Sequence, residues 1–122
     1  MKQLLLIFTL IFATNLPAEN WPRFRGPNGA GVSGDAIPVT WMKEHFKWKT
    51  ALPGVGHGSP VVWKEWIFLL CADEDTGERT AVGLNAKTGR VLCRTPFEAE
   101  VHRHHKQNSF ASSTPTVDDS GV

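Results

Sequence analysis

Ala81-Val82-Gly83-Leu84-Asn85-Ala86-Lys87-Thr88-Gly89-Arg90-Val91-Leu92-Cys93 is the stretch whose reading decides the fold. Apolar residues alternate up to Asn85, and a short polar run ends in Gly89. Alternation resumes at Val91, the pattern of two antiparallel strands joined by a tight turn. Asn85 can cap the turn through its side chain, and Gly89 can take the positive φ that closes a bulged connection. The strands are read as Thr80–Asn85 and Arg90–Thr95.

Working outward, Val61-Val62-Trp63 and Trp66-Ile67-Phe68-Leu69-Leu70-Cys71-Ala72 read as a hairpin about Lys64-Glu65, with Asp73 to Glu78 a polar turn into the next strand. The second strand is apolar at both parities, which predicts burial on both faces. Phe46-Lys47-Trp48-Lys49-Thr50-Ala51-Leu52 also alternates and reads as a strand with one buried face. No amphipathic helical period occurs, so the fold class is all-β.

The chain repeats itself. Trp48-Lys49-Thr50 aligns with Cys93-Arg94-Thr95 at an offset of about 45, the length of a four-stranded propeller blade. Ser59-Pro60-Val61-Val62 recurs as Thr114-Pro115-Thr116-Val117 at a larger offset, because the connection from Glu98 to Ala111 is long.

Residues 1–18 read as an export signal: Lys2, the apolar run Leu4 to Ala13, then Leu16-Pro17-Ala18. That run is shorter than the roughly 20 residues of a membrane-spanning helix. Residues 19–45 form an arm rich in Gly, Pro and Asn, in which Trp21 and Phe24 are expected to pin the arm to a neighbouring surface. Gly29-Ala30-Gly31-Val32-Ser33-Gly34 matches a dinucleotide-binding pattern in letters only, since no strand precedes it and Pro38 closes off the following helix. Residues 46–122 hold the sheet-forming part.

The whole chain carries 13 basic and 12 acidic side chains, so no charge excess draws it to nucleic acid or anionic lipid. Cys71 and Cys93 fall on the second and fourth strands, about 9 to 10 Å apart across the sheet. A disulfide tolerates less than about 7 Å between Cα atoms, so both are read as free thiols. His102-Arg103-His104-His105, with His45 and His57 elsewhere, is the densest candidate metal site, but neighbouring Arg103 and Lys106 oppose a cation and the segment reads as solvated loop. Asp73, Asp75 and Glu78 lack the spacing of a calcium loop. His57 and Ser59 have no nucleophile elbow and no acidic partner. No catalytic, cofactor-binding or metal residue is assigned.

The Ala81 to Cys93 stretch resembles the blade signature of the pyrroloquinoline-quinone (PQQ)-like β-propeller repeat family, in which Asp or Asn, a Thr-Gly turn and a terminal Trp recur. Asn20 to Pro27, Gly56 to Val62 and His105 to Pro115 resemble exported bacterial members of it. Two positions depart: Gly83 stands where Ala is usual, and Cys93 replaces the Trp that docks blade to blade, whereas Trp48 keeps the aromatic.

The resemblance implies a partial β-propeller, about one four-stranded antiparallel blade plus strands of two neighbours. A ring needs at least four blades of about 40 to 45 residues, so an N-terminal fragment, periplasmic or extracellular, is expected. It also implies a noncatalytic platform that binds or scaffolds a protein or small-molecule partner, with no cofactor in this fragment. The alternative is the N-terminal part of a PQQ-dependent quinoprotein dehydrogenase, whose members hold PQQ and calcium with aromatics, an Arg and often an adjacent cysteine pair. This sequence has no such pair. A third reading is a metal-binding module through His102, His104 and His105.

Overall fold

The computed structural model describes residues 19–122, so the export signal read in residues 1–18 lies outside the described residues. The described chain is all-β. One open antiparallel sheet holds β1 (Val61–Trp63), β2 (Trp66–Ala72), β3 (Arg79–Asn85) and β4 (Val91–Phe97) in sequence order, and Lys43–His45 makes a single 3-10 turn.

Each connection has a local chemical cause. Lys64 takes φ 55 between β1 and β2, a left-handed conformation held by its N–H donating to Asn20 Oδ1 at 2.7 Å. Between β2 and β3, Asp73 Oδ1 accepts from the N–H groups of Asp75 and Thr76, and the Gly77 N–H donates to Asp73 O at 2.9 Å. The β3–β4 turn repeats the device: Asn85 Oδ1 accepts from the N–H groups of Lys87 and Thr88, and the Gly89 N–H donates to Asn85 O at 2.8 Å. Gly77 and Gly89 have φ 73 and 69, so Asp73-x-x-Thr76-Gly77 and Asn85-x-x-Thr88-Gly89 are one turn chemistry used twice.

The register puts Trp66, Phe68, Leu70, Ala81, Gly83, Cys93 and Thr95 on one face, and Ile67, Leu69, Cys71, Val82, Leu84 and Val91 on the other. Pairing shifts between Gly83↔Cys93 and Leu84↔Val91, which leaves Leu92 as the extra residue of a bulge. The Cys71 face carries a core of Cys71, Val82 and Leu84, with Ile67, Leu69 and Val91 packed on it. Covering a valine such as Val82 completely stabilises by about 1.5 to 3 kcal/mol. On the Phe68 face, Phe110 and Ala111 fold back over Ala72 and Leu70.

Several expectations need correction. Phe46–Leu52 forms no strand. It has no ladder partner among the described residues, bends at Lys47, and only Trp48 and Thr50 are half-buried. Alternation recorded that these two side chains point inward, not that the backbone pairs. β2 is fully buried only at Cys71 and Ala72, because neither face is covered along its whole length. β4 runs on to Phe97 through Pro96, and an edge strand accommodates a residue without an N–H. In the arm, Trp21 pairs with Val62 as expected, whereas Phe24 is 61% exposed and pins nothing.

Candidate functional site

The most informative contacts join residues 55 apart. Ser59 N–H donates to Thr114 Oγ1 at 2.9 Å, and Lys64 Nζ forms an ion pair with Asp119. A Cβ on Gly58 would strike the Ser113 carbonyl, so the two backbones touch here as well. Gly58, Ser59 and Lys64 are the counterparts of Ser113, Thr114 and Asp119 in the sequence repeat, and the Asp118↔Gly121 bridge mirrors the Trp63↔Trp66 pair. Like segments therefore lie side by side. The arm is laid between them: Trp21 exchanges both backbone bonds with Val62, and Val117 N–H donates to Pro22 O at 2.9 Å.

Electrostatics favour this pairing. Asp119 is held below the usual carboxylate range, chiefly by the Lys64 ammonium and then by the Trp63 indole N–H donating at 3.3 Å. The Ser120 hydroxyl does the same for Asp118, and Thr76 for Asp73.

A second contact reaches the β3–β4 turn from upstream. Trp48 Nε1–H donates to Ala86 O at 3.0 Å, and Thr50 Oγ1–H donates to Gly89 O at 2.6 Å. Gly89 is buried under the Trp48 indole, and any Cβ there would fall within the ring. Gly89 thus serves both the positive φ of the turn and the close approach of an aromatic.

A hollow of about 300 Å³ lies on the Phe68 face, lined by Phe68, Leu70, Ala81, Gly83, Cys93 and Pro115 among others. The Cys93 sulfur crosses Gly83 so closely that a Cβ there would lie 2.6 Å from it, and Trp66 and Phe68 stack beside it at 5.5 Å. Gly83 and Cys93 are therefore a matched pair, which the sequence alone presents as two unrelated departures.

Both thiols are free: Cys71 is buried on one face and Cys93 exposed on the other. Sequence spacing predicted their separation, while the opposite faces emerge only from register. Burial pushes the Cys71 thiol up, partly offset by Arg94.

The structure brings the His102 and His104 rings to 6.4 Å of each other but does not bring His105, His45 or His57 to them. His102 and His104 flank the Phe110 ring at 5.4 and 4.5 Å, and His104 Nε2 lies 3.7 Å from Glu74. His105 Nδ1 instead accepts from the Gln107 N–H, and His45 Nδ1 from the Met42 N–H. His57 is exposed and, like Ser59, contributes its backbone N–H to the stacked segments. Asp73 spends its carboxylate on its own turn, away from any shared site with Asp75 and Glu78. No group of three His, Cys, Asp or Glu able to hold a metal ion occurs among the described residues. No buried side-chain nitrogen or oxygen is left without a partner there, and the hollow offers an apolar lining with Thr95 at its edge. The residues lining the hollow bring no carboxylate, Arg or Lys side chain to it. No helix of the described residues is long and apolar enough to cross a membrane.

No family model, no curated protein and no solved structure matches the chain.

Proposed function

We propose that the sheet is one blade of a PQQ-like β-propeller, exported from the cell, and that it serves as a noncatalytic platform for binding or scaffolding a partner. The observation that carries this reading is the contact between counterparts of the repeat, Ser59 with Thr114 and Lys64 with Asp119. In a radial array of sheets, each repeat touches the next at equivalent residues. The Trp48 indole on Gly89 supports the same arrangement from the other flank, since it joins a segment of one repeat to the turn of the following one.

The platform reading follows from how the polar groups are used. Asp118 accepts from Ser120 within its own turn, Asp119 pairs with Lys64 across to the other turn, and the hollow on the Phe68 face has an apolar lining. Such a surface suits recognition by packing rather than acid–base chemistry.

The test is to supply the purified protein with PQQ and calcium and follow quinone binding and dye reduction with an alcohol or a sugar. A platform gives no dye reduction. Turnover that depends on both additions would replace this reading with that of a quinoprotein dehydrogenase. Detection of the protein in the periplasmic or extracellular fraction, shortened at the amino terminus, would accompany the exported reading.

A further inference from the structure

Val62 and Val117 hold the same place in the two copies of the repeat, at the offset that separates Ser59 from Thr114. Both backbones find their partner in one short stretch of the arm. The Val62 N–H donates to Trp21 O at 2.9 Å, the Trp21 N–H donates back to Val62 O at 2.8 Å, and the Val117 N–H donates to Pro22 O at 2.9 Å. Asn20 Oδ1 accepts from the Lys64 N–H at 2.7 Å, in the turn of the first copy. We infer that residues 20–22 are a strap shared by the two repeats, whose release frees Val62 and Val117 together while the four-stranded sheet stays folded.

The residue types suit a segment that serves two sides at once. A residue before proline is pushed toward extended backbone, which favours the strand conformation of Trp21. Successive carbonyls of an extended chain point to opposite sides, and those of Trp21 and Pro22 accept from different repeats. Pro22 has no N–H to leave unpaired on the Val117 side, where its carbonyl alone is used.

The strap is tied down at both ends. The Trp21 ring lies over buried Gly26, where a Cβ would come within 2.9 Å of it, and the Arg23 guanidinium donates to Gly26 O and Pro27 O at 3.2 and 2.8 Å. Upstream, Glu19 Oε2 accepts from the Ser33 hydroxyl at 2.8 Å. The sheet does not depend on these bonds, since β2 pairs with β3 along its whole length without them. With the strap seated, the edge of β1 is paired at Val62, and with the strap out it is bare. The inference rests on the stacking of repeats proposed above and adds what holds them stacked.

Amide hydrogen exchange of the full chain tests it, because each N–H reports its own opening. Trp21→Ala takes the ring off Gly26 and keeps the backbone. Exchange at Val62 and Val117 should accelerate together, by about tenfold or more, with the amides of β2 and β3 unchanged. Phe24→Ala, at an exposed ring in the same arm, should change neither valine.

Acceleration at Val62 with Val117 still protected would overturn the inference, and so would no change at either or an equal effect from Phe24→Ala. If Trp21→Ala loosens the whole sheet, Asn20→Ala decides, since it deletes only the acceptor of the Lys64 N–H. Joint acceleration of the two valines against a steady β2 and β3 then supports the strap, and any other pattern overturns it. The Ser59–Thr114 contact is read separately in the unaltered protein. Its absence removes the proposed function, whereas its presence with Val62 and Val117 opening independently removes the strap alone.

Discussion

Trp48 and Cys93 hold equivalent places in the sequence repeat and do opposite things in the structure. Trp48 lays its indole over Gly89, donates to the Ala86 carbonyl and covers the β3–β4 turn. Cys93 reaches only as far as Gly83, remains exposed and borders a hollow of about 300 Å³. The backbones differ too: Trp48 lies in a segment without a ladder partner among the described residues, whereas Cys93 is paired with Gly83 in β4. The comparison teaches that covering the β3–β4 turn depends on one large aromatic side chain, and that the smaller Cys93 leaves a hollow beside it.

Removing the closure should have the largest effect. Trp48→Ala deletes a half-buried indole and its hydrogen bond, and should cost about 2 to 4 kcal/mol in urea unfolding. A loss below about 0.5 kcal/mol, the range of ordinary surface changes, would mean that Trp48 closes nothing. Next comes Gly89→Ala, which puts a methyl group into the indole and imposes a left-handed conformation that costs an L-residue about 1 to 2 kcal/mol. Its effect should shrink when combined with Trp48→Ala, because only the backbone strain then remains, and a double-mutant cycle reads that coupling.

Cys93→Trp sharpens the comparison from the other side. The hollow beside Phe68 and Leu70 can accept an indole, so the variant should gain about 1 kcal/mol, seen as a raised denaturation midpoint. An unchanged midpoint with a fully solvent-exposed emission spectrum would show that the two flanks differ in more than the missing ring.

The smallest effect concerns pH. Asp119 is held below its ordinary value by Lys64 and Trp63, so its contribution to turn pairing is fully present above about pH 4 and is lost as pH falls through the lowered folded value. The Trp63 indole N–H resonance should move in that acid range. A resonance constant throughout would place Asp119 away from Trp63.

Much of the sheet was legible in the sequence because its causes are local. Asn85, Thr88 and Gly89 announce their turn by residue type, and alternation on either side sets the strands. The equivalent turn at Asp73, Thr76 and Gly77 uses the same chemistry, yet its extra carboxylates at Glu74 and Asp75 made it read as a generic polar turn. Phe46–Leu52 misled because period two reports where side chains point, and a docked segment can have that period without pairing. Phe24 misled for a related reason: an aromatic residue in a polar arm identifies no surface for itself, and only Trp21 found one, above Gly26.

The stacked site was half legible. The likeness of Ser59-Pro60-Val61-Val62 to Thr114-Pro115-Thr116-Val117 was visible, but likeness at a distance in sequence does not state contact. The Lys64 and Asp119 pairing could not be found by similarity at all, since the two positions carry opposite charges. Opposite charges at equivalent places are what side-by-side stacking requires, because like charges there would repel. The match between Gly83 and Cys93 stayed hidden until the bulge fixed which residues face one another.

The central claim is that segments 55 residues apart lie against each other within one chain. Nuclear Overhauser contacts between Ser59 and Thr114, measured at a concentration where the protein is monomeric, test it most directly. The account predicts them at an intensity comparable to cross-strand contacts in β2 and β3. Their absence, with the contacts of the four-stranded sheet intact, would contradict it.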